Sequence, residues 1–265
     1  MKQSYNILIC ILLLFILYFI YKHNTFQEGF EDQENQKVPL NIFQTWHTKN
    51  LSVKMRECVD NMKKSNPEFK YHFYDLEECR EFIKNHFEND VLVTYDSIIP
   101  YAFKADLWRY CILYIYGGVY LDIKYYNINN FKFIDFIDKD YYLRDIPGSG
   151  GGVANGMIIS KPKNPKLWNC IQNIVKNVKE KSYGKSAFEV TGPMLLKREF
   201  DDQELENTKM FSIGEHECPT PTCLYYDNKP VLAMYKEYRD DQKSLKEDPS
   251  TNYFELWKTR HIFTD

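Results

Sequence analysis

Four charged residues in the middle of the chain have the types and spacing that chemistry at one crevice would need. Asp106 and Arg109 are three residues apart on a segment with helical periodicity, so they share one face of the predicted helix. Asp122 and Lys124, two residues apart, follow a short apolar strand. We therefore expect two carboxylates, a guanidinium and an ammonium around a single crevice.

This set of charges suits the transfer of a sugar from a nucleotide donor. In that reaction the anomeric carbon gains positive charge while the departing diphosphate gains negative charge. A divalent ion held by carboxylates commonly balances the diphosphate, and Asp122 is placed for such a role. Lys124 cannot bind a cation, but its ammonium can contact a phosphate directly. Asp106 and Arg109 also permit the simpler interpretation of an ordinary ion pair on a helix surface.

The surrounding pattern predicts the elements that position these residues. Gly117-Gly118 ends the helix that starts at residue 101, and an apolar strand follows. Strand and helix patterns alternate along the chain, which predicts a mostly parallel, doubly wound α/β sheet. The predicted strands are 39–46, 69–74, 119–121, 131–137, 140–145, 153–160, 209–213 and 231–236, and the predicted helices begin near residues 52, 75, 88, 101, 164 and 191, with a last one around 253–257.

Loops at the carboxyl ends of these strands are the predicted ligand crevice, because open parallel sheets bind ligands there. They comprise Thr45-Trp46-His47, the segment from Asp122 to Lys124, and residues 148–152, which form either a mobile lid or a flexible turn. The chain has neither a G-x-G-x-x-G after its first strand nor a G-x-x-x-x-G-K-[ST] motif. These absences argue against a Rossmann dehydrogenase and a P-loop NTPase.

Composition narrows the class of partner. The chain has 265 residues and a formal net charge of −3, with acidic and basic residues dispersed along it. Because no long basic stripe is present, we do not expect nucleic acid as a partner.

An apolar run near the start of the chain predicts a membrane anchor. Residues 7–21 are uniformly apolar, and a helix of that length spans roughly 22 Å of a ~30 Å hydrocarbon core. A cleaved signal peptide is the alternative, but no small-residue cleavage pattern follows the run. We predict a cytoplasmic tip and transmembrane anchor at 1–22, a polar stem at 23–37 and one folded domain at 38–265.

The cysteines permit one local cross-link. Cys218 and Cys223 are spaced so that a disulfide could close a small loop. The four that fall on helical patterns are expected to be buried thiols: Cys58, Cys79, Cys111 and Cys170.

Several segments resemble glycosyltransferase family 32, the DXD-motif sugar transferases that include initiating mannosyltransferases of the Golgi and capsular polysaccharide enzymes. VPLNIFQTWHT resembles the first strand of that family, and KADLWRYCILYIYGGVYLDIK resembles its central motif. NGMIISKPKNP and TGP are similar to later family segments. The resemblance implies a GT-A fold, a nucleotide-sugar donor, a glycan or glycoconjugate acceptor, and retention of the anomeric configuration.

The resemblance also implies roles for individual residues of the amino-terminal half. Trp46 would stack on the donor base, and Asp106 and Arg109 would hold hydroxyls of the donor sugar. Tyr120 would line the donor pocket, while Asp122 would contact ribose, sugar or a metal ion. Asp106, Arg109 and Asp122 are accordingly the candidate catalytic residues.

Further candidates lie later in the chain and next to the strand. Asn155 would approach the sugar, and Thr191 and Gly192 would shape the far wall of the donor site. The family motif ends in a second acid, where this chain has Lys124 as a candidate substrate-binding residue. The resemblance implies a divalent cation, Mn²⁺ or Mg²⁺, with Asp122 as its ligand, but Lys124 departs from that pattern.

Two other interpretations follow from Lys124. A metal-independent transferase would use the Lys124 ammonium as the counter-ion of phosphate. A catalytically silent GT-A domain would bind a nucleotide, a glycan or a partner enzyme without turnover. For the transferase we predict a type II protein of a Golgi or ER-type membrane with a lumenal catalytic domain, a host or viral membrane being a further setting.

Overall fold

A computed structural model describes residues 37–146, 152–244 and 252–264. Within these ranges, no helix has the length and apolar character needed to cross a membrane. The predicted tip and anchor, and all of the predicted stem except Lys37, lie outside the described residues, as do 147–151 of the glycine-rich loop. Val38–Asp265 forms one compact unit.

Nine strands of the described residues form a single sheet in the order β2-β1-β3-β6-β5-β7-β8-β9-β4. β1 pairs in parallel with both β2 and β3, and β5 pairs in parallel with β7. The strands are β1 Asn41–Thr45, β2 Lys70–Tyr74, β3 Gly118–Leu121, β4 Tyr125–Asn127, β5 Tyr141–Arg144, β6 Val153–Ser160, β7 Phe211–Gly214, β8 Cys223–Tyr226 and β9 Lys229–Met234.

The prediction of a mostly parallel sheet is wrong, because the sheet is mixed. β6 is antiparallel to both β3 and β5, and β7, β8, β9 and β4 continue with antiparallel pairs. The connections β5–β6, β7–β8 and β8–β9 are short, and strands joined without a crossover element must run in opposite directions. Residues 131–137, predicted as a strand, instead contain the 3₁₀ turn Phe133–Phe136.

Seven helices of the described residues begin close to their predicted starts, whereas those at Asp202–Asn207 and Tyr238–Ser244 were not predicted. Ser52 accepts a hydrogen bond from the Met55 amide, and Asp75 forms a capping box with Glu78. The helices are α1 Val53–Ser65, α2 Leu76–His86, α3 Asn89–Ser97, α4 Tyr101–Tyr116, α5 Pro165–Lys179, α6 Pro193–Lys197, α7 Asp202–Asn207, α8 Tyr238–Ser244 and α9 Tyr253–Lys258.

Both faces of the central strands are covered, so the prediction of helices on two sides is confirmed. Val119 and Leu121 of β3 pack in one apolar cluster with residues of α1, whereas Tyr120 packs in another cluster with residues of α2, α4 and α5. This division follows the two-residue period of a strand. Cys218 and Cys223, the first residue of β8, form a disulfide with their Cα atoms 5.7 Å apart, and the four thiols predicted to be buried are buried.

The turn from α4 into β3 determines where the strand and its terminal charges lie. Gly117 and Gly118 both have positive φ, 61° and 113°. A Cβ on Gly118 would lie 2.6 Å from the carbonyl oxygen of Asn41 in the neighbouring strand β1. The turn therefore requires glycine for its conformation and for the close approach of two backbones.

We predict that Gly118→Ala destabilises the protein by about 2 kcal/mol or more, because the methyl group meets backbone atoms and the φ angle is strained. Chemical denaturation of the full-length chain measures this loss. Gly152→Ala is the control, since its added Cβ would be 3.4 Å from the Met194 sulfur, an ordinary contact. Equal stability of Gly118→Ala and the parent chain would contradict the role assigned to the turn.

Candidate active site

The helix α4 and the strand end after β3 bring the predicted charges together. Arg109 is 5% exposed and lies between two carboxylates. Its Nη2 is 3.1 Å from Asp106 Oδ1, and its Nη1 is 3.4 Å from Asp122 Oδ1. Nη1 also donates to the Asn155 carbonyl oxygen at 2.6 Å, and the guanidinium carbon lies 4.4 Å from the centre of the Tyr120 ring. Arg109 thus joins α4, β3 and β6.

Asp106 has hydrogen-bond donors on both carboxylate oxygens. The Asn155 side-chain amide donates to Oδ1 at 2.9 Å, and the Thr191 hydroxyl donates to Oδ2 at 2.7 Å. A Cβ on Gly192 would be 3.4 Å from Oδ2. Burial raises the pKa of Asp106 above its ordinary value, although Arg109 and Thr191 oppose the rise. The structure therefore brings Asn155, Thr191 and Gly192, which are distant in sequence, around one carboxylate.

Asp122 is the more open of the two carboxylates, with its side chain 21% exposed against 11% for Asp106. The Tyr120 hydroxyl donates to Oδ1 at 2.9 Å, and the Lys124 ammonium donates to Oδ2 at 2.8 Å. Burial raises the pKa of Asp122, but Lys124 and Arg109 outweigh it and bring the pKa below its ordinary value. Asp122 is therefore held ionised between two cations.

A cavity of about 520 Å³ opens over these groups. Trp46 borders it at the end of β1, with its ring 4.8 Å from the ring of His47 and 6.3 Å from that of Tyr238. α8 contributes Tyr238 and Arg239 to the wall, and the start of α9 contributes Tyr253. The predicted site residues that line the cavity are Trp46, Asp106, Arg109, Tyr120, Asp122, Lys124, Asn155 and Gly192.

Sequence reasoning assigned no role to two polar residues at this site. The Tyr110 hydroxyl accepts a hydrogen bond from the Asn155 amide at 3.0 Å and donates to the Thr191 carbonyl at 3.3 Å. Gln44 donates to the Asp122 carbonyl oxygen at 3.4 Å from the adjacent strand β1. Gln44 belongs to the segment that resembles the first strand of the family, and Tyr110 directly follows Arg109 in the central motif. The position of each residue within these segments was the signal that could have identified it.

The residues present do not form the usual carboxylate set for a divalent ion. Among the described residues, no three His, Cys, Asp or Glu side chains converge as a metal site would require. Lys124 brings a positive charge to the position where the motif has its second acid. Both oxygens of Asp122 already face hydrogen-bond donors or cations. The structure therefore gives no support to Asp122 as a metal ligand.

The one literal D-x-D sequence, Asp138-Lys139-Asp140, is separate from the cavity. Asp140 accepts hydrogen bonds from the Lys161 amide at 2.6 Å and from the Asn164 side chain at 2.9 Å. Asp138 accepts from the Tyr141 hydroxyl at 2.8 Å. These contacts fix the start of β5 and the loop before α5, which is a structural role.

Comparisons with known proteins bear on the family that the sequence resembles. Residues 52–139 match the family described as a glycosyltransferase sugar-binding region containing a DXD motif. An uncharacterised glycosyltransferase of Acanthamoeba polyphaga mimivirus is 30% identical over 196 residues, 72% of this chain and 76% of the relative.

Two further similarities concern a yeast relative and a solved structure. Inositol phosphoceramide mannosyltransferase 2 of Schizosaccharomyces pombe is 25% identical over 234 residues, 85% of this chain and 62% of the relative. The structure of PaToxG glycosyltransferase is 17% identical, with a TM-score of 0.54 over 72% of this chain and 84% of that one. This likeness supports the GT-A fold that the sequence resemblance implied.

Replacing the buried guanidinium should reveal how far the site depends on it. We predict that Arg109→Met lowers the unfolding free energy by about 3–5 kcal/mol near pH 7, because Asp106 and Asp122 lose their shared counter-ion. The loss should shrink toward about pH 4. Removing Arg109 raises the native pKa of Asp106 further, and a carboxyl with a raised native pKa costs stability only where it is ionised in the unfolded chain.

Urea denaturation at several pH values measures both effects. Arg80→Met is the matched control, because Arg80 forms a similar ion pair with Asp96 on the exposed surface and its removal should cost far less. An Arg109→Met loss that is small or independent of pH would contradict the assignment of Arg109 as the shared counter-ion.

Proposed function

The chain belongs to the glycosyltransferase family whose sugar-binding region contains a DXD motif, and we propose that it is a hexosyltransferase using a nucleotide-sugar donor. One observation carries this proposal: the constellation of Asp106, Arg109 and Asp122 opens into the 520 Å³ cavity bordered by Trp46. Such a volume is within the range of small-molecule sites. The acceptor would be a glycan or glycoconjugate, as for other glycosyltransferases.

The exposure of the charged groups suggests how they divide the work. Asp106 and Arg109 are almost fully buried, with side chains 11% and 6% exposed, and most of their polar atoms bond to protein. They would present their remaining hydrogen-bonding capacity to sugar hydroxyls and hold the donor site in shape. Asp122 and Lys124, each about one-fifth exposed, would meet the donor more directly. The indole of Trp46 would stack on the base.

The proposed reaction moves the sugar with its anomeric configuration retained, as the family resemblance implies. The bond between the anomeric carbon and the diphosphate oxygen breaks, and its electron pair stays on that oxygen. A bond forms from the acceptor oxygen to the anomeric carbon, and the acceptor proton ends on the released nucleoside diphosphate or in solvent. Asp122 and the ordered dipoles around it would stabilise positive charge on the sugar.

Mannose is the hexose we propose first. Curated relatives of this chain include inositol phosphoceramide mannosyltransferases and an initiation-specific alpha-1,6-mannosyltransferase. The chain spans about three quarters of the mimivirus relative, but only 28–62% of the three inositol phosphoceramide mannosyltransferases of fission yeast. Donor and acceptor are therefore proposals for this chain in its own right.

Turnover of a donor panel by the full-length chain tests the proposal. GDP-mannose, UDP-glucose, UDP-galactose and UDP-N-acetylglucosamine would each be assayed for release of nucleoside diphosphate, with water or added glycans as acceptor. We expect one donor to turn over, and Asp122→Asn to lower that rate about 10²-fold or more, because a preorganised charge beside the reacting sugar is lost. Asp138→Asn is the matched control outside the cavity and should keep the parent rate. Normal activity of Asp122→Asn would overturn the site assignment.

We also propose that residues 7–21 anchor the enzyme in a Golgi or ER-type membrane with the catalytic domain lumenal. The uninterrupted apolar run supports this proposal. Alkaline carbonate extraction of cells expressing the tagged full-length chain tests it. We expect the chain to stay in the membrane pellet, and a variant with three apolar residues of the run changed to Asp to be released. Complete release of the parent chain would contradict the anchor.

A further inference from the structure

The Lys124 ammonium occupies the position where the family motif has its second carboxylate. It lies 2.8 Å from Asp122 Oδ2, and its side chain is 20% exposed toward the cavity. The rings of Tyr125 and Tyr238 flank it, with centroids 5.1 and 5.6 Å from Nζ. The cation is therefore positioned by one carboxylate and two aromatic faces, while part of it stays open to a ligand.

Lys124 in place of the second acid of the motif keeps the net charge at this strand end the same as that of a metal-bound pair of carboxylates. Two carboxylates with one divalent cation carry no net charge, and Asp122 with Lys124 also carries none. The ammonium thus supplies the charge balance that an ion would otherwise provide at this strand end. A divalent ion brought to Asp122 would in addition be repelled by the nearby ammonium.

The partners of the two Asp122 carboxylate oxygens also indicate that the protein itself balances this charge. Its Oδ1 accepts from the Tyr120 hydroxyl at 2.9 Å and lies 3.4 Å from Arg109 Nη1. Its Oδ2 accepts from Lys124. The carboxylate is thus already compensated from within the protein, which leaves the outer face of the ammonium as the positive group toward the cavity.

A second cation borders the same part of the cavity. Arg239, on α8, lines the cavity and is exposed, and its guanidinium carbon is 5.8 Å from the centre of the Tyr238 ring. Lys124 contacts that same ring. The two cations therefore flank one aromatic side chain at the cavity wall. Two cationic side chains beside each other are the groups that would contact the two phosphates of a diphosphate.

We propose that Lys124, assisted by Arg239, binds the diphosphate of the donor in place of a divalent cation. This inference rests on the proposed function, since it assigns the part of the same site that takes the nucleoside diphosphate. The ammonium would also meet the negative charge that develops on the departing diphosphate oxygen when its bond to the anomeric carbon breaks. No oxidant, reductant or further reactant is involved.

Binding of nucleoside diphosphates to the full-length chain tests this proposal directly. GDP and UDP would each be titrated by calorimetry, once with EDTA and once with MnCl₂. We expect one of them to bind with dissociation constants that agree within about threefold between the two conditions. Lys124→Gln should weaken binding about 10- to 100-fold in both conditions, because a charge-assisted contact is lost. Arg239→Gln should weaken it less, since Arg239 is the more exposed cation.

The most informative variant is Lys124→Asp, which restores the two-carboxylate pattern of the motif. We expect it to bind nucleoside diphosphate poorly in EDTA and to regain at least tenfold in affinity with Mn²⁺. Lys64→Gln, which removes an exposed lysine on α1, is the matched control and should bind as the parent chain does. Circular dichroism and thermal midpoints of every variant separate loss of binding from loss of fold.

Contrary outcomes are distinguishable. The role of Lys124 would be overturned if Mn²⁺ raised the affinity of the parent chain for nucleoside diphosphate more than tenfold. It would also be overturned if folded Lys124→Gln or Lys124→Asp chains bound like the parent in EDTA. Neither result would contradict the proposed transferase. Failure of GDP and UDP to bind in either condition, together with no turnover of any donor, would overturn both.

Discussion

The candidate site depends on one interaction, the burial of the Arg109 guanidinium between two carboxylates. Arg109 joins α4 to the end of β3 through Asp122 and to β6 through the Asn155 carbonyl. A buried charge is tolerated only when paired and hydrogen-bonded, so these elements must meet in one arrangement. Asp106 extends the network to the start of α6 through Thr191. The geometry of the cavity follows from satisfying this one cation.

The inner pair of charges is hydrogen-bonded within the protein, whereas the outer pair is available to a ligand. The polar atoms of Asp106 and Arg109 are mostly engaged with protein, whereas Asp122 and Lys124 are partly open to the cavity. The candidate site thus has a buried layer of charges that supports a more accessible layer, the arrangement that preorganised electrostatic catalysis would use. The Gly117-Gly118 turn joins α4, which carries the inner charges, to β3, which is followed by the outer ones. It therefore fixes the position of one layer relative to the other.

Local signals explain which elements could be predicted. Ser52 and Asp75 begin their helices as predicted, since an N-cap bonds to amides three residues away and is encoded nearby. The directions of the strands were harder to predict than the starts of the helices. β4 is a short strand that pairs with β9, far along the chain, and β8 is a short strand in a hairpin with β9. β6 takes its direction from the short loop after β5. Residues 131–137 carry an aromatic pattern like that of a strand, but Phe133 and Phe136 pack from a 3₁₀ turn.

The sequence by itself determined the family, the helix and strand that carry Asp106, Arg109 and Asp122, and the replacement of an acid by Lys124. All of these lie within one short, contiguous motif whose spacing encodes them locally. Only the tertiary structure decided that Asn155 and Thr191 satisfy Asp106, that Tyr110 joins them, and that Tyr238 and Arg239 form the wall facing Lys124. The physical reason is that a buried charge takes its partners from whatever elements the sheet brings near. Which elements become neighbours in the sheet cannot be read from the spacing of residues in the sequence.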